Sequence, residues 1–231
     1  MQLQQLSLLN FRNYRQATIK FFDGIHVLYG ENGAGKTSIL EAIYYLALTK
    51  SFRTTIDRHL INHEETMFRL QGQFQAPHGN VLNVTIAYTK ESGKHLTVNQ
   101  QKPQTFSEYI GEVPIVLLHP ADLELSQGSP SYRRRFLDVL LSQSSKLYLH
   151  HLIQYTRSLK QRNQILQNPS PDRVLLSSWD ENIITHGVEI VRKRKDAVLQ
   201  LEKLVKKYYR QISQKNDEVT IHYRTTLEGD T

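Results

Sequence analysis

Cysteine is absent from the 231 residues of this sequence, which excludes a disulfide framework and a thiolate metal site. No apolar run approaches the ~20 residues that a membrane-spanning helix needs. Met1 is followed by Gln-Leu-Gln-Gln and not by a charged and then an apolar stretch, so we expect no signal peptide. These absences predict a cytoplasmic protein without a membrane partner.

Acidic residues are in deficit, 22 against 29 basic ones, and the formal net charge is +7. A basic excess suits a polyanionic partner such as a nucleic acid, although many soluble proteins are mildly basic. The apolar share of 39% is enough for one sizeable core with an appended element. The histidines show no paired spacing that would indicate a metal site.

A glycine-rich stretch at residues 30–37, here called the glycine loop, reads Gly-Glu-Asn-Gly-Ala-Gly-Lys-Thr. It has the spacing G-x-x-x-x-G-K-T, follows the apolar run 25–29 and precedes a helical pattern, which predicts a phosphate-binding loop. Glycines let backbone N–H groups converge, and the helix N-terminus adds its positive dipole end. Lys36 would reach the β- and γ-phosphates of ATP, and the Thr37 hydroxyl would ligate Mg²⁺. The predicted nucleotide-binding residues are Gly30, Glu31, Asn32, Gly33, Ala34, Gly35, Lys36, Thr37 and Ser38. The alternative is a glycine-rich helix entry that binds no ligand.

Periodicity in the first half predicts mainly strands around one helix. Alternating apolar residues between 6 and 21 predict a hairpin, and the run 25–29 predicts a strand. Residues 66–74 and 81–88 read as paired strands, with further strands at 96–98 and 113–118. The helix after the glycine loop has an apolar face at helical spacing, consisting of Ile39, Leu40, Ile43, Leu46 and Ala47.

The second half is largely helical. Residues 136–166 and about 175–212 are helix-compatible, and the segment 168–172 with its two prolines breaks them. The second helix has a seam, with a seven-residue spacing of Ile183, Ile190, Ala197 and Leu204 and with Trp179, Leu201, Tyr208 and Ile212 near the complementary positions. Two helices joined by a proline-rich loop predict an antiparallel helical arm. The alternative is that these helices simply pack on the core. Alternation of Val219, Ile221 and Tyr223 predicts a strand near the end of the chain.

Short motifs occur in order along the whole chain. They are residues 9–14 (Leu-Asn-Phe-Arg-Asn-Tyr), 30–44, 51–54 (Ser-Phe-Arg-Thr), 120–123 (Pro-Ala-Asp-Leu), 128–130 (Gly-Ser-Pro), 133–138 (Arg-Arg-Arg-Phe-Leu-Asp) and 179–180 (Trp-Asp). The set resembles the RecF family of DNA replication and repair ATPases, relatives of the SMC and ABC-type ATPase heads. The glycine loop alone would not select this family.

The resemblance implies an α/β fold, the N-terminal part of an ABC-type P-loop ATPase head with a mixed sheet and an inserted helical domain containing an antiparallel helix pair. It implies three segments: residues 1–124 for the head part, 125–214 for the helical arm, and 215–231 for a truncated strand returning to the head. Family members are longer, and their C-terminal signature loop, Asp-Glu pair and switch histidine have no counterpart here. We therefore expect an N-terminal fragment with weak ATP binding and negligible hydrolysis.

The resemblance also implies a function, an ATP-binding DNA repair and replication protein. Such a protein binds single-stranded, gapped and junction DNA and assists recombinase loading and SOS induction. Implied partners are mediator proteins of the same pathway and, in the complete protein, a second copy in an ATP-dependent homodimer. The family is a slow DNA-dependent ATPase, so whether this chain is an enzyme stays open, and no catalytic residue is assigned.

Basic residues outside the glycine loop are candidates for DNA contacts, namely Lys50, Arg53, Arg133, Arg134 and Arg135. A solvated helix face is the competing interpretation for the last three. Arg12 and Asn13 would approach the base or ribose by family analogy, or simply form a polar hairpin turn. Residues 125–128 (Leu-Ser-Gln-Gly) look like a signature loop, but their position argues against it, and Ser129 and Pro130 suit the N-cap and N1 positions of a helix.

Two other functions remain open at this stage. A small P-loop phosphotransferase would use the same glycine loop, but it would place a parallel βαβ succession soon after the first helix. A non-catalytic nucleic-acid-binding module with a vestigial ATP site would bind DNA without regard to ATP.

Overall fold

Five strands form one antiparallel sheet in the first part of the molecule. They are β1 (Gln2–Phe11), β2 (Tyr14–Lys20), β3 (Met67–Gln75), β4 (Val81–Thr89) and β5 (Gly93–Val98), in the order β2-β1-β3-β4-β5. The computed structural model describes residues 1–76, 79–214 and 217–225. It divides the chain into two compact units, Met1–His119 and Pro120–Thr231.

One face of the sheet is apolar because side chains alternate along each strand. The strand register aligns these side chains in two rows across the sheet. The first row consists of Ala17, Leu8, Leu70, Ile86 and Leu96, and the second of Ile19, Leu6, Gly72, Val84 and Val98. The helix α1 (Lys36–Leu48) covers this face and contacts β1, β3 and β4. A side chain on Gly72 would lie 2.9 Å from Leu46 Cδ1, so the glycine lets the helix approach the sheet closely. Each buried Leu contributes about 1.5–3 kcal/mol.

Polar contacts hold the C-terminal end of α1, whose C-cap residue Thr49 has a φ of 56°. The Tyr109 hydroxyl, on the short helix α2 (Phe106–Tyr109), donates to Leu46 O at 2.6 Å. Lys94 donates to Thr49 O at 2.6 Å and pairs with Asp57 at 2.9 Å. Because the last carbonyls of a helix lack intrahelical donors, these contacts set how α1 lies on the sheet.

The predicted hairpin at 6–21, the pairing of 66–74 with 81–88 and the strand at 96–98 are confirmed. The three strands after α1 are antiparallel, which disfavours the parallel βαβ succession of a phosphotransferase. The prediction of the apolar face of α1 was wrong for one residue, since Leu40 is 45% exposed. The predicted turn between β3 and β4 includes residues 77–78, which lie outside the described residues.

Two predicted strands, residues 25–29 and 113–118, do not form. Both segments pair with no other strand among residues 1–76, 79–214 and 217–225. Ile25, Val27 and Tyr29 are 95%, 76% and 91% exposed, and Val116 and Leu118 are 90% and 86% exposed. An apolar run becomes a strand only where a neighbour supplies the ladder hydrogen bonds, so the sequence pattern alone did not suffice. The parallel part of the expected mixed sheet is accordingly absent from the described residues.

Three helices form most of the second unit, after a short helix α3 (Glu124–Gln127). They are α4 (Pro130–Ser144), α5 (Lys146–Ile165) and α6 (Arg173–Ser213). The predicted first helix is interrupted at Ser145, whose side chain accepts from Tyr148 N and so starts α5. The antiparallel pairing of α5 and α6 is confirmed, because His151 meets His186 and Arg162 meets Asp180.

The second unit has a small core formed by Leu137, Ala197 and Val198, against which Ile221 and Tyr223 pack. Asp138 accepts from Tyr148 and Arg194 and so links all three long helices. The predicted strand at 219–223 does not form, since these residues pair with no strand in the part of the chain that is described. Residues 215–216 and 226–231 of the predicted last segment lie outside that part. Leu204, Tyr208 and Ile212, expected on the helix seam, are 50%, 53% and 84% exposed.

Across the described residues, every helix is too short or too polar to cross a membrane.

Candidate functional site

The glycine loop joins the unpaired segment 25–29 to α1. Its three glycines, Gly30, Gly33 and Gly35, have φ values of 140°, 87° and 100°. L-residues rarely adopt these backbone conformations, which explains why glycine occupies the positions. Ala34 N donates to Glu31 O at 3.2 Å and closes a turn within the loop. The loop therefore has a defined conformation that depends on its glycines.

The N-terminus of α1 presents its first backbone N–H groups beside the glycine loop. Gly35 is the N-cap residue and supplies no side-chain acceptor, and the first turn contains no acidic residue. The first N–H groups of a helix have no intrahelical acceptor, and they lie at its positive dipole end. Thr37 is exposed and Ser38 is buried. This end of α1 has the donors and the charge that suit an anion.

Lys36 lies across the glycine loop. Its Nζ donates to Gly30 O and to Glu31 O, both at 2.8 Å. An ammonium has three donors, so one of them is not used by these two carbonyls. The cation therefore lies against the glycine loop, on the first residue of α1.

The turn between β1 and β2 packs against the glycine loop. Asn13 Nδ2 donates to Gly33 O at 3.3 Å. A side chain on Gly35 would lie 2.7 Å from both Asn13 Nδ2 and the Tyr14 hydroxyl. Gly35 is therefore required for close approach as well as for its φ value. Asn13 reaches the loop itself, whereas its neighbour Arg12 turns to the interior.

Arg12 forms a two-pronged ion pair with Glu41 on α1. Arg12 Nε lies 2.9 Å from Glu41 Oε2, and Arg12 Nη2 lies 2.7 Å from Glu41 Oε1. The Ser51 hydroxyl also donates to Glu41, and Arg53 Nη1 lies 3.6 Å from it. Glu41 is fully buried. The sequence reasoning missed Glu41, although a carboxylate between the buried Ile39 and Ala42 was a detectable signal.

The predicted DNA-contacting residues lie in both units. In the first unit Lys50 is exposed, and Arg53 is 47% exposed while paired with Glu41. In the second unit Arg133 donates to Gly128 O at 2.9 Å and to Leu125 O at 3.4 Å. Arg134 and Arg135 are exposed on the first turns of α4.

The positions of Ser129 and Pro130 as N-cap and N1 of α4 are confirmed. The Ser129 hydroxyl contacts that of Ser131 at 2.6 Å and does not cap the helix. Residues 125–127 are part of α3, which suits a connecting role for this stretch. In the described part of the chain, no group of three or more His, Asp or Glu side chains is placed to hold a metal ion.

Comparison with known proteins identifies the family. The family model described as AAA domain matches residues 5–226. The chain belongs to this family. It is 38% identical to the DNA replication and repair protein RecF of Pediococcus pentosaceus over 234 residues, covering 100% of this chain and 62% of that protein. It is 39% identical to the RecF protein of Streptococcus suis, covering 99% of this chain and 62% of that one. The chain thus spans somewhat less than two thirds of the relatives it matches.

Solved structures agree with the sequence relatives. A structure of the recombination mediator protein RecF-ATP in the RecFOR pathway matches with a TM-score of 0.86 and 29% identity, covering 92% of this chain and 58% of that one. A structure of an SMC ATPase matches with a TM-score of 0.50 and 18% identity, covering 60% of this chain and 98% of that one. The second match bears on the fold alone. The resemblance to the RecF family and the ABC-type ATPase head fold are confirmed.

Proposed function

We propose that the glycine loop and the N-terminus of α1 bind the triphosphate of ATP. The observation that carries this proposal is that Lys36, the first residue of α1, places its ammonium 2.8 Å from Gly30 O and Glu31 O of the glycine loop, beside helix N–H groups that have no intrahelical acceptor. Lys36 would exchange its two carbonyl acceptors for the β- and γ-phosphates, which are stronger acceptors because they are charged. The nucleotide-binding residues are Gly30, Glu31, Asn32, Gly33, Ala34, Gly35, Lys36, Thr37 and Ser38.

The proposed site would also bind Mg²⁺ together with ATP. The Thr37 side chain is exposed at the start of α1, and a hydroxyl at this position of a phosphate-binding loop is a Mg²⁺ ligand. The matching RecF structures, solved as RecF-ATP and RecF-ATPrS, support ATP as the nucleotide. Bound Mg²⁺ would neutralise phosphate charge next to the loop.

We propose that the chain takes part in DNA repair and replication as an ATP-binding protein, the role that the names of its RecF relatives state for those proteins. The finer proposal is that it binds single-stranded, gapped and junction DNA through Lys50, Arg53, Arg133, Arg134 and Arg135. It would assist recombinase loading with the mediator proteins of the pathway, contribute to SOS induction and, in the complete protein, dimerise around ATP in the cytoplasm. Residues 1–124 would be the ATPase part, residues 125–214 the helical arm, and residues 215–231 the returning segment.

Titration with a fluorescent ATP analogue tests the nucleotide proposal. Lys36→Ala should abolish binding, because it removes the cation that faces the phosphates. Lys102→Ala, which removes an exposed lysine of the same unit that has no proposed role, is the matched control and should bind as the wild type does. Circular dichroism should show the same helix content in all three proteins. Equal affinity of wild type and Lys36→Ala would remove the glycine loop from the proposal.

A further inference from the structure

We propose that Glu41 is a positioning residue for the glycine loop. Its buried carboxylate anchors the β1–β2 turn, and that turn holds Gly33 and Gly35 in the conformation that receives phosphate. The inference rests on the proposed function and deepens it, because it assigns the loop geometry to a residue that does not touch the nucleotide.

The first step is the burial of the Glu41 side chain, which is 0% exposed. A charge taken out of water is costly unless strong hydrogen bonds compensate for its lost hydration. Glu41 has three partners from two segments distant in sequence: Arg12, Ser51 and Arg53. Such a carboxylate leaves its partners little freedom, because moving any of them exposes an uncompensated buried charge.

The second step is the path from Arg12 to the glycine loop. Arg12 has a φ of 53°, a conformation that L-residues adopt only where surrounding contacts hold them. Those contacts are the ion pair to Glu41, the bond from Arg12 N to Leu60 O at 2.7 Å and the bond from Asn62 Nδ2 to Arg12 O at 2.6 Å. The next two residues touch the loop, Asn13 at Gly33 O and Tyr14 against Gly35.

The third step is the position of Glu41 on α1, the helix that begins with Lys36. The loop and the turn that packs on it are therefore tied to one rigid element. On the other side of Glu41, the Ser51 hydroxyl accepts from Arg53 N and Thr54 N at 2.9 and 3.1 Å. The same carboxylate thus also orders the turn that carries Arg53.

A purely stabilising role is the competing interpretation, and the ion pair of Lys94 with Asp57 provides a matched control. It also anchors α1 to its surroundings and is largely buried, with side-chain exposures of 18% and 26%. It lies at the C-terminal end of the helix, where Lys94 donates to Thr49 O. Loss of either pair should lower the melting temperature, but only loss of the Glu41 pair should disturb the glycine loop.

The experiment compares Glu41→Gln, Arg12→Lys and Lys94→Met in the full chain. Glu41→Gln keeps the side-chain size but replaces the carboxylate that pairs with the Arg12 guanidinium by a neutral amide. Arg12→Lys keeps the positive charge but loses the two parallel hydrogen bonds that the guanidinium donates to Glu41. The first readout is the ¹H–¹⁵N spectrum of the nucleotide-free protein, in which the Gly33 and Gly35 amide signals should shift in the first two variants and not in Lys94→Met. The second is the affinity for the fluorescent ATP analogue, which should fall about tenfold in Glu41→Gln, a change equivalent to losing one strong hydrogen bond.

Unshifted Gly33 and Gly35 signals in Glu41→Gln would overturn the inference, and so would an affinity loss matched by Lys94→Met at equal loss of melting temperature. If Glu41→Gln does not fold, Arg12→Lys decides by the same criteria. If the wild type binds no ATP analogue, the proposed function fails, while the glycine signals of the nucleotide-free variants still test the positioning role.

Discussion

His151 and His186 face each other across the α5–α6 pair, with their Nδ1 atoms 2.9 Å apart. The distance requires one Nδ1 to donate and the other to accept, so at least one of the two rings is neutral. The His150 ring lies 5.8 Å from that of His151 and 5.9 Å from that of His186. Three imidazoles therefore lie together, with His150 and His151 near the N-terminal end of α5.

This cluster predicts a pH dependence of stability. Burial, followed by His151 and His150, lowers the pKa of His186 from its ordinary value of 6.5. Because the unfolded chain then binds the proton more tightly, this contribution to stability is complete above about pH 6.5 and is lost as the pH falls through the lowered pKa of folded His186. Thermal unfolding of the wild type should show a lower melting temperature at about pH 5 than at neutral pH.

His186→Gln is the variant that isolates the effect, because carboxylates elsewhere also titrate in acid. Its melting temperature should depend less on pH between neutral pH and about pH 5 than that of the wild type. Glu189, on α6 near His151, has its pKa lowered chiefly by a hydrogen bond from Arg192, and this pair is present in both proteins. Parallel melting curves for the two proteins would contradict the prediction.

Local patterns account for what could be predicted from the sequence. The glycine loop, α1, the two hairpins and the α5–α6 pair each depend on residues close together in the chain or on periodicity along one element. The unformed strands at 25–29 and 113–118 show the limit of this information, since pairing is decided by a neighbour and not by the apolar run.

Side-chain networks were the other feature that could not be predicted. Glu41 is separated from Arg12 by 29 residues, and His151 from His186 by 35. The neighbouring sequence does not indicate which distant side chain will pair with a buried carboxylate or hydrogen-bond an imidazole. The sheet register and the helix pairing that bring these groups together arise only in the folded chain. The residues expected to form the nucleotide site were recognisable, and so was a carboxylate at Glu41 on the apolar face of α1, but the distant partners of Glu41 were not.

Gly35→Ala should impair the glycine loop more than its backbone strain alone would. The new methyl group would lie 2.7 Å from both Asn13 and Tyr14, in addition to a φ of 100°. Gly24→Ala is the matched control, because Gly24 also has a positive φ, 111°, but nothing within 4 Å of the added carbon. Backbone strain costs about 1–2 kcal/mol at either site. Gly35→Ala should lower the melting temperature further and weaken binding of the ATP analogue, and equal losses in the two variants would contradict the close packing described for this turn.

Replacing Ile25 and Val27 together by serine should reduce the binding of a hydrophobic dye without lowering stability. The two side chains are 95% and 76% exposed, so folding removes little of their apolar surface from water and little free energy is lost on replacement. Leu70→Ala is the contrasting control, since Leu70 is fully buried and its truncation should cost about 2–5 kcal/mol. Dye fluorescence and thermal unfolding measure the two effects, and a large drop in melting temperature in the serine variant would mean that 25–29 packs against other parts of the chain in solution.

Arg134→Ala combined with Arg135→Ala should weaken the binding of single-stranded DNA and reduce its salt dependence. Both arginines are exposed on α4, whereas Arg133 donates to backbone carbonyls. Each phosphate contact with single-stranded DNA contributes about 0.7 to the slope of log K against log salt, so two lost contacts should reduce its magnitude by about 1.4.

Arg157→Ala with Lys160→Ala, exposed residues of α5, removes the same charge and should leave the slope unchanged. Fluorescence anisotropy of a labelled oligonucleotide over a salt series measures the slopes. Because both double variants change the net charge equally, a slope lowered in both would assign DNA binding to the overall basic field, and a slope unchanged in both would leave Arg134 and Arg135 as a solvated helix face.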